Sequence, residues 1–571
     1  MTPFEKRSRD VAAKFLQTVV VVDDKPYFEA EEIEEVPSGE IVEPGRIGAE
    51  REEEQEIVPS IGERQSLPLD AKSLINAFAT HGLVCAVVKP ENNNKEPLLL
   101  QALKALRRAD IVVLDWKLYE DNGEKATRIA KQILDGDTGD LPSLRLIAIY
   151  TGQGGIPSII NNLKESLFSK RPDKGTICDE GYSVVSGGTR ISGFAKEGVV
   201  GAREEKIVTT NSLPDVLTAE FAKMTAGLVS NVAIWSLGEI RENTHRMLRK
   251  FKPELDPSYI THRILSAPPE DAETHLAPVV LAELQAIIED GNASSLADAD
   301  SIREWLEDLG RRGIPLRDRL HSKSVSVAID AFDALIRNGI NDETPTLPVS
   351  LRRLLKRLKD EKDKTHKQAI SDLTGILSAE QKRAADCDCE LSVLMSMRQR
   401  YSVPLPVLTQ GTIIADGTGK NGRYLICVQP RCDAVRLSNK RAFPFLPMHK
   451  PRNGKPFDYV VKDVDTFVKL FITYKPHLLK MIEFAPIGRQ KQITAIREDD
   501  GYVFTSTKQM VPVQADGTWA TEERQTKYRW IAELKPEYAQ RVANVFADEL
   551  SRVGLTESEW LRRHAKKSRP L

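Results

Sequence analysis

The run TVVVVDD, Thr18 to Asp24, decides how this chain is to be read. Four consecutive valines ask for burial on both sides, which is the pattern of a central strand in a covered parallel sheet. Yet the run ends on two adjacent carboxylates, which repel each other and lose solvation when buried. Charges in that position need a reason, and the sequence downstream supplies one.

Beyond the run the chain alternates. LPLDAKSLINAFATHG sets Ala71, Leu74, Ile75 and Phe78 at helical spacing, with Gly82 where a helix stops. LVCAVV follows as a strand, EPLLLQALKALRRAD as a helix with Pro97 in its first turn, and IVVLDW from Ile111 as another apolar strand. EKATRIAKQILDG carries Ala126, Ile129, Ala130 and Ile133 on one helical face. LRLIAIYTG from Leu144, the helix IPSIINNLKESL and TRISGFAKEG from Thr189 complete the series, and NSLPDVLTAEFAKMTAGLV begins a long helix. Apolar strands separated by amphipathic helices predict an α/β doubly wound (βα)5 domain, its parallel sheet covered on both faces. From Tyr27 to about Pro68 the series is interrupted by an acidic, proline-punctuated insertion with little apolar surface to bury.

In such a sheet the functional crevice lies beyond the carboxyl ends of the strands, where strand order reverses. Polar side chains gather at those ends: Asp23 and Asp24 after the first strand, Asp115 after the third, Thr151 after the fourth, Lys196 after the fifth. Carboxylate oxygens joined by a main-chain carbonyl suit Mg²⁺. One carboxylate can also serve as a nucleophile, forming an acyl phosphate balanced by the metal, a hydroxyl and a lysine. Helix capping explains any one of the acids alone. It asks for no threonine or lysine at the last two ends.

This order of residues resembles the receiver domain of two-component response regulators, over about residues 15 to 230. LDWKLYEDNG also has that family's shape around its phosphorylated aspartate, with a glycine a few residues on. The resemblance implies that Asp115 accepts phosphate from a histidine kinase and that Asp23, Asp24 and Asp115 hold Mg²⁺ with the main-chain carbonyl of Lys117. It further implies that Thr151 contacts the phosphoryl group, that Lys196 pairs with it, and that phosphorylation shifts a two-state equilibrium through the fourth and fifth strands. The chain departs from the family in its insertion, in the EGYSVVSGGTR stretch, read as an extra hairpin, and in Glu197 where the family has proline. Phe194, by strand alternation, faces away from where the family's switch aromatic points. An insertion-bearing receiver followed by LTAEFAKMTAGLVSNVAIWSLGEIRENTHRML is also similar to response-receiver proteins of bacterial anti-phage conflict systems, which implies a histidine-kinase-type ATPase as partner.

The remainder reads as a helical middle region and a β-rich C-terminal domain. AKMTAGLVSNVAIWSLGEIRENTHRMLRKF carries Met224, Leu228, Val232, Trp235, Ile240 and Leu248 in one apolar stripe, and His245 on it reads as a solvated side chain rather than a phosphotransfer group. From Tyr401 the texture changes to PVLTQGTII, GRYLICVQP, DAVRL, PFDYVV, TFVKLFITY and DGYVFTS, with hairpin chemistry between them, so a small barrel or sandwich is predicted. GTGK lacks the spacing of a phosphate loop and reads as a turn. Cys432 and Asp433 have only His449 as a nearby base, so a catalytic thiol is not expected. LKPEYAQRVANVFADELSRVG predicts a terminal helix with Leu534, Tyr538, Val542, Val545 and Leu550 inward, ahead of a basic tail.

Bulk properties bound the function. At 571 residues and 41% hydrophobic the chain can hold several cores, and 81 Lys plus Arg against 83 Asp plus Glu exclude a protein built throughout for polyanions. SLRRLLKRLKDEKDK is basic in its first half but lacks interleaved aromatics, so it reads as a solvated helix and no nucleic-acid partner is expected. No apolar run reaches membrane-spanning length and MTPFEKRSRDVAAKFLQ is an amphipathic helix rather than a signal peptide, so a soluble cytoplasmic protein is expected, with no membrane contact. Six cysteines make no disulfide framework, and Cys387, Cys389, Cys427 and Cys432 fit no common zinc spacing.

The expectation is therefore a phosphorylatable signalling protein of a bacterial two-component-like system, taking phosphate on Asp115 with Mg²⁺ and without further enzymatic activity. Its domains are expected at residues 1–210 (receiver-like), 211–400 (helical), 401–530 (β-rich) and 531–571 (terminal helix and tail). The alternative is an unphosphorylated receiver-like scaffold that binds the partner ATPase. A phosphohydrolase is the third reading, disfavoured because the first strand offers D-D rather than D-x-D.

Overall fold

The computed structural model describes residues 1–28, 69–90, 102–136, 143–171, 173–267, 269, 271–340, 347–360, 365–401, 404–417, 422–452, 456–486, 491–499, 501–507, 509–515 and 518–551. Most of the acidic insertion, the start of the EPLLLQ helix, the GTGK turn and the basic tail lie outside those residues. The chain divides into two compact units, Met1–Asp308 and Leu309–Leu571.

The first unit begins with α1 (Pro3–Phe15), β1 (Thr18–Val22), β2 (Pro26–Tyr27), β3 (Leu69–Asp70), α2 (Ala71–Thr80), β4 (Val84–Val88) and α3 (Leu103–Arg108). It continues through β5 (Ile111–Leu114), α4 (Glu124–Leu134), β6 (Arg145–Thr151), α5 (Ile156–Phe168), β7 (Thr176–Cys178), β8 (Ser183–Ser186) and β9 (Thr189–Ala195). Helices α6 (Leu213–Thr225), α7 (Leu228–Leu248), α8 (Asp256–Leu265), α9 (Asp271–Asp290) and α10 (Ala299–Asp308) close it.

Its sheet has the order β4-β1-β5-β6-β9-β8-β7. The pairings from β4 to β9 are parallel, and β8 and β7 extend the edge antiparallel. The four valines of β1 divide between the two faces. Val20 and Val22 join a core with α4 and α5, whereas Val19 and Val21 join one with α1, α2 and α6. Each buried valine contributes roughly 1.5–3 kcal/mol, so β1 is held at the centre by both layers. Strand order reverses at β1, between β4 and β5, and the crevice there receives the residues that follow β1 and β5.

The expected extra hairpin is present as β8–β9, turning at Gly187–Gly188, with Gly187 at φ 55. Burying it requires a polar network against α6. Arg190 donates to Glu220 at 2.9 Å and to Asp179, while Ser192 donates to Glu220 at 3.1 Å. Burial would raise the Glu220 carboxyl, but Arg190 and then Lys223 outweigh it and hold it below the usual range.

The long helix predicted across residues 211–250 is two helices. Gly227 is extended at φ −170 and ψ 152 between α6 and α7, as the residue with most to lose in a helix. The face of α7 that packs also differs from the predicted stripe. Asn231, Ile234 and Gly238 are its buried residues, and Leu248 is exposed. A Cβ on Gly238 would come within 3.3 Å of the Lys14 carbonyl oxygen, so glycine there sets how closely α1 approaches.

The second unit opens with α11 (Leu316–Leu320), α12 (Val325–Asn338), α13 (Val349–Lys359), α14 (His366–Leu377) and α15 (Ala384–Ser396). Its strands are β10 (Thr412–Asp416), β11 (Arg423–Cys427), β12 (Arg441–His449), β13 (Tyr459–Asp463), β14 (Thr466–Ile472) and β15 (Lys480–Phe484). They continue as β16 (Ile496–Glu498), β17 (Gly501–Thr505), β18 (Gln509–Ala515), β19 (Thr518–Arg524) and β20 (Lys527–Glu533), before α16 (Pro536–Ser551). The main sheet follows β13-β14-β12-β11-β10-β20-β17-β16, with β15 also on β12. It rolls, because Asp463 at the end of β13 accepts from Arg529 of β20 at 2.9 Å and from Tyr424 of β11 at 2.6 Å. Those two donors, Arg529 foremost, overcome burial and keep the Asp463 carboxyl below its ordinary value.

Two expectations for this unit are corrected. DAVRL is not a strand: Arg431–Ala434 forms a 3₁₀ turn, and the nine residues of β12 carry that part of the sheet instead. Terminal helix α16 turns Ala539, Val542 and Phe546 inward, whereas Val545 and Leu550 are exposed and Leu534 precedes the helix. No thiolate cluster forms among the described residues, since Cys389 and Cys427 are buried in separate elements while Cys387 and Cys432 are exposed. Burial pushes the Cys427 thiol up to about 12, as for a cysteine that packs rather than reacts. No described helix is long and apolar enough to cross a membrane.

Candidate functional site

The parallel ladder sets the rim. Asp23 N–H donates to the Val88 carbonyl, Asp115 N–H to Val22 and Lys196 N–H to Thr151, so each strand end is tied to its neighbour. The side chains of Asp23, Asp24, Asp115, Thr151 and Lys196 are consequently buried together at the carboxyl edge, all at least 95% covered. One oxygen from each of the three carboxylates can be chosen so that all lie within 4.8 Å of one another. Lys196 Nζ donates to Asp115 Oδ2 at 2.8 Å and to Asp23 Oδ2 at 3.0 Å, with the ring of Tyr150 beneath it at 5.7 Å.

Main-chain donors hold the acids in place. Lys25 N–H reaches Asp23 Oδ1 at 2.8 Å, Tyr119 N–H reaches Asp24 Oδ2 at 2.9 Å, and Lys117 N–H reaches Asp115 Oδ1 at 3.2 Å. Thr151 Oγ1 accepts from Gln153 N–H at 3.2 Å. To aim its N–H at Asp24, Tyr119 adopts φ 54 and Glu120 follows at φ 63, left-handed conformations that cost L-residues about 1–2 kcal/mol each. The Tyr119 hydroxyl donates to the Pro90 carbonyl, and Lys125 Nζ lies 5.3 Å from its ring. Sequence reading missed these contacts. Nothing in WKLYEDNG marks two non-glycine residues for the left-handed region.

Electrostatics separate the acids. Burial raises the Asp115 carboxyl to about 6 and the charge of Asp23 adds to this, against the opposing pull of Lys196. Burial would lower the Lys196 ammonium, but Asp115 and then Asp23 outweigh it and hold it above its ordinary value. Three carboxylates and one ammonium leave two net negative charges in a buried cleft. A hard divalent cation such as Mg²⁺ cancels that charge and takes oxygen donors, so the residues fit it.

Glycine at 123 is required by the same loop. It has φ 87, and a Cβ there would lie 2.1 Å from the ring of Trp116, the residue after Asp115. Gly123→Ala is expected to displace Trp116 and cost about 2 kcal/mol or more through overpacking and left-handed strain. Urea unfolding in EDTA checks this, and an unchanged midpoint would remove the role given to Gly123.

At the other edge, Phe194 lies in the core on the α6 side. The opposite side of β9 is closed at Gly193, where a Cβ would meet Ile156 Cγ2 at 2.3 Å. In the insertion, only the two ends are described. Pro26–Tyr27 pairs in parallel with Leu69–Asp70, so the chain leaves and returns side by side, directly after Asp24. In the second unit Cys432 lies 3.8 Å from Asp433 Oδ1, and the His449 ring lies tilted against Phe471 with centroids 5.4 Å apart, so the cysteine and the histidine have separate partners.

Residues 15–200 match the family described as the response receiver domain, a span that includes every strand end from Asp23 to Lys196. Domains of that family are phosphorylatable signalling modules that generally bind Mg²⁺ at the phosphorylation site and usually act with histidine kinases. No curated protein matches the chain, and no solved structure does.

Proposed function

We propose that the chain is a phospho-acceptor of a two-component-like system, with Asp115 as the acceptor and Asp23, Asp24, Asp115 and the carbonyl of Lys117 as the Mg²⁺ ligands. The observation that carries this reading is the buried set of three carboxylates within 4.8 Å, partly neutralised by Lys196. In the reaction an Asp115 carboxylate oxygen attacks the donor phosphorus. A P–O bond forms, the P–N bond of a phosphohistidine or the P–O bond of an acyl phosphate breaks, and its electron pair leaves with the donor. Bound Mg²⁺ supplies charge neutralisation to the phosphoryl oxygens. Lys196 then exchanges its Asp115 carboxylate for the new phosphoryl group, and the Thr151 hydroxyl donates to the same group. Both partners sit on the β6–β9 pair, so the exchange bears directly on that edge of the sheet.

The domain limits proposed with this function remain 1–210, 211–400, 401–530 and 531–571, and the location is cytoplasmic. The anti-phage setting and its histidine-kinase-type ATPase rest on the insertion-bearing receiver followed by α7, independently of the site chemistry.

A second reading has its own observation. With Gly193 filled by Ile156 and Phe194 facing α6, the family's usual aromatic switch is absent, which favours an unphosphorylated scaffold for the ATPase. Incubation with a small acyl phosphate separates the two. In Mg²⁺ the intact mass is expected to rise by one phosphoryl group, and in EDTA it is expected to stay unchanged. No phosphate from either the acyl phosphate or the ATPase, with no thermal stabilisation by Mg²⁺, would favour the scaffold.

A further inference from the structure

Beyond the sheet, α7, α8 and α9 form an arm whose composition and exposure disagree. Helix α9 runs antiparallel to α7: Trp235 Nε1 donates to the Gly291 carbonyl at 2.8 Å, and Lys250 pairs with Glu283 at 2.5 Å. Its N-terminal half lies against α8, where Arg263 pairs with Glu273 at 2.5 Å and His262 meets His275 at 3.1 Å. From Leu276 to Ile288 the sequence LAPVVLAELQAII has only Glu283 and Gln285 as polar residues. A helix apolar around its circumference belongs in a covered position. Yet among the described residues of α8 and α9 only Ala272 is buried. Ile260, Ile264 and Leu265 of α8 and Leu276, Val279 and Leu281 of α9 are between 48% and 77% exposed. A two-helix tip without a core of its own gains most of its stability from what packs on it.

We infer that the α7–α9 arm is a homodimerisation surface, covered by the same arm of a second copy of this chain. The charge pattern favours a copy over a charged partner. From Arg246 to Glu283 the sequence holds five Lys or Arg and six Asp or Glu, so two such arms meet with little net repulsion. The ion pairs Lys250–Glu283 and Arg263–Glu273 are closed within one arm, so four of those eleven charges are already matched internally. Size favours it too. At 1.5 Å per residue and about 10 Å per helix, the face of α7 and α9 with α8 presents about 750 Å², close to the roughly 800 Å² that each partner of a stable complex buries. An isologous pair puts the same patch on both copies, joining the arms into a helical bundle with the apolar side of α9 inside.

The full chain, at 63.8 kDa per copy, is tested by sedimentation equilibrium over a concentration series beside the double variant Ile264→Glu, Leu281→Glu. The wild type is expected at twice the monomer mass and the variant at half the wild-type value, with an unchanged far-UV spectrum. In wild type, amide exchange over residues 256–281 is expected to slow as concentration rises. A wild type that stays monomeric at high micromolar concentration, with concentration-independent exchange, overturns the second copy as occupant and leaves the arm to another protein. A variant that remains dimeric places the interface elsewhere and overturns the proposal equally.

Discussion

Asp115→Asn is expected to take no phosphoryl group and yet to be more stable than the wild type in EDTA at pH 8. Loss of phosphate follows from removing the nucleophilic oxygen. The gain in stability follows from burial, which raises Asp115 to about 6, roughly two units above an ordinary carboxylate. A carboxyl whose folded pKa is raised gives full stability below its unfolded pKa and loses it as pH rises through the folded value. The wild type therefore loses stability between about pH 4 and pH 7, in total on the order of 2–3 kcal/mol. Asparagine mimics the protonated acid and carries no such loss. The two proteins should unfold together near pH 4 and diverge as pH rises, with the variant having the higher urea midpoint. Mg²⁺ should narrow the gap by stabilising the wild type more. Equal midpoints at every pH, or phosphate retained by the variant, would show that Asp115 is neither the strained charge nor the acceptor.

That trade between chemistry and stability explains why the site was legible. Val19 to Val22 could only be a doubly covered strand, and Asp23 and Asp24 stood out because nothing about burial favours them. Functional residues that oppose the local physics are visible in one sequence. The contacts that obey it are not. Tyr119 and Lys25 hold the acids through main-chain N–H groups, which every residue but proline possesses, so no side-chain pattern announced them.

Misreadings elsewhere have equally local causes. Strand β12 was hidden by Pro444 and Pro447, which a central strand normally excludes. Their carbonyls still accept, from Val428 and Thr473, so each proline forgoes only its donor. In α16, periodicity pointed to Val545, and packing against the sheet turned its larger neighbour Phe546 inward instead. For α6 and α7 the apolar stripe ran on through Gly227, while the backbone turned there because α7 packs on α1 by a different face.

Lys196→Met carries the opposite expectation, and the pair of variants tests the electrostatics more sharply than either does alone. Methionine retains most of the buried stem and removes only the ammonium, which donates to Asp115 and Asp23. Three carboxylates are then left together without a cation. Breaking a buried ion pair from one side costs about 3–5 kcal/mol, and that loss is expected in EDTA at pH 8. It should shrink toward pH 5. Without Lys196 only the Lys117 N–H still opposes the burial that raises Asp115, so that carboxyl protonates more readily. Mg²⁺ should stabilise this variant more than the wild type, because the cleft now carries three negative charges instead of two. At a hundred times its dissociation constant a ligand adds about 2.7 kcal/mol, enough to restore most of the loss. A simple packing defect would lower stability equally at pH 5 and pH 8 and would not respond to the metal. An Asp115→Asn that stabilises beside a Lys196→Met that destabilises, both converging in Mg²⁺, is the signature of a cleft whose charge is set for a divalent cation.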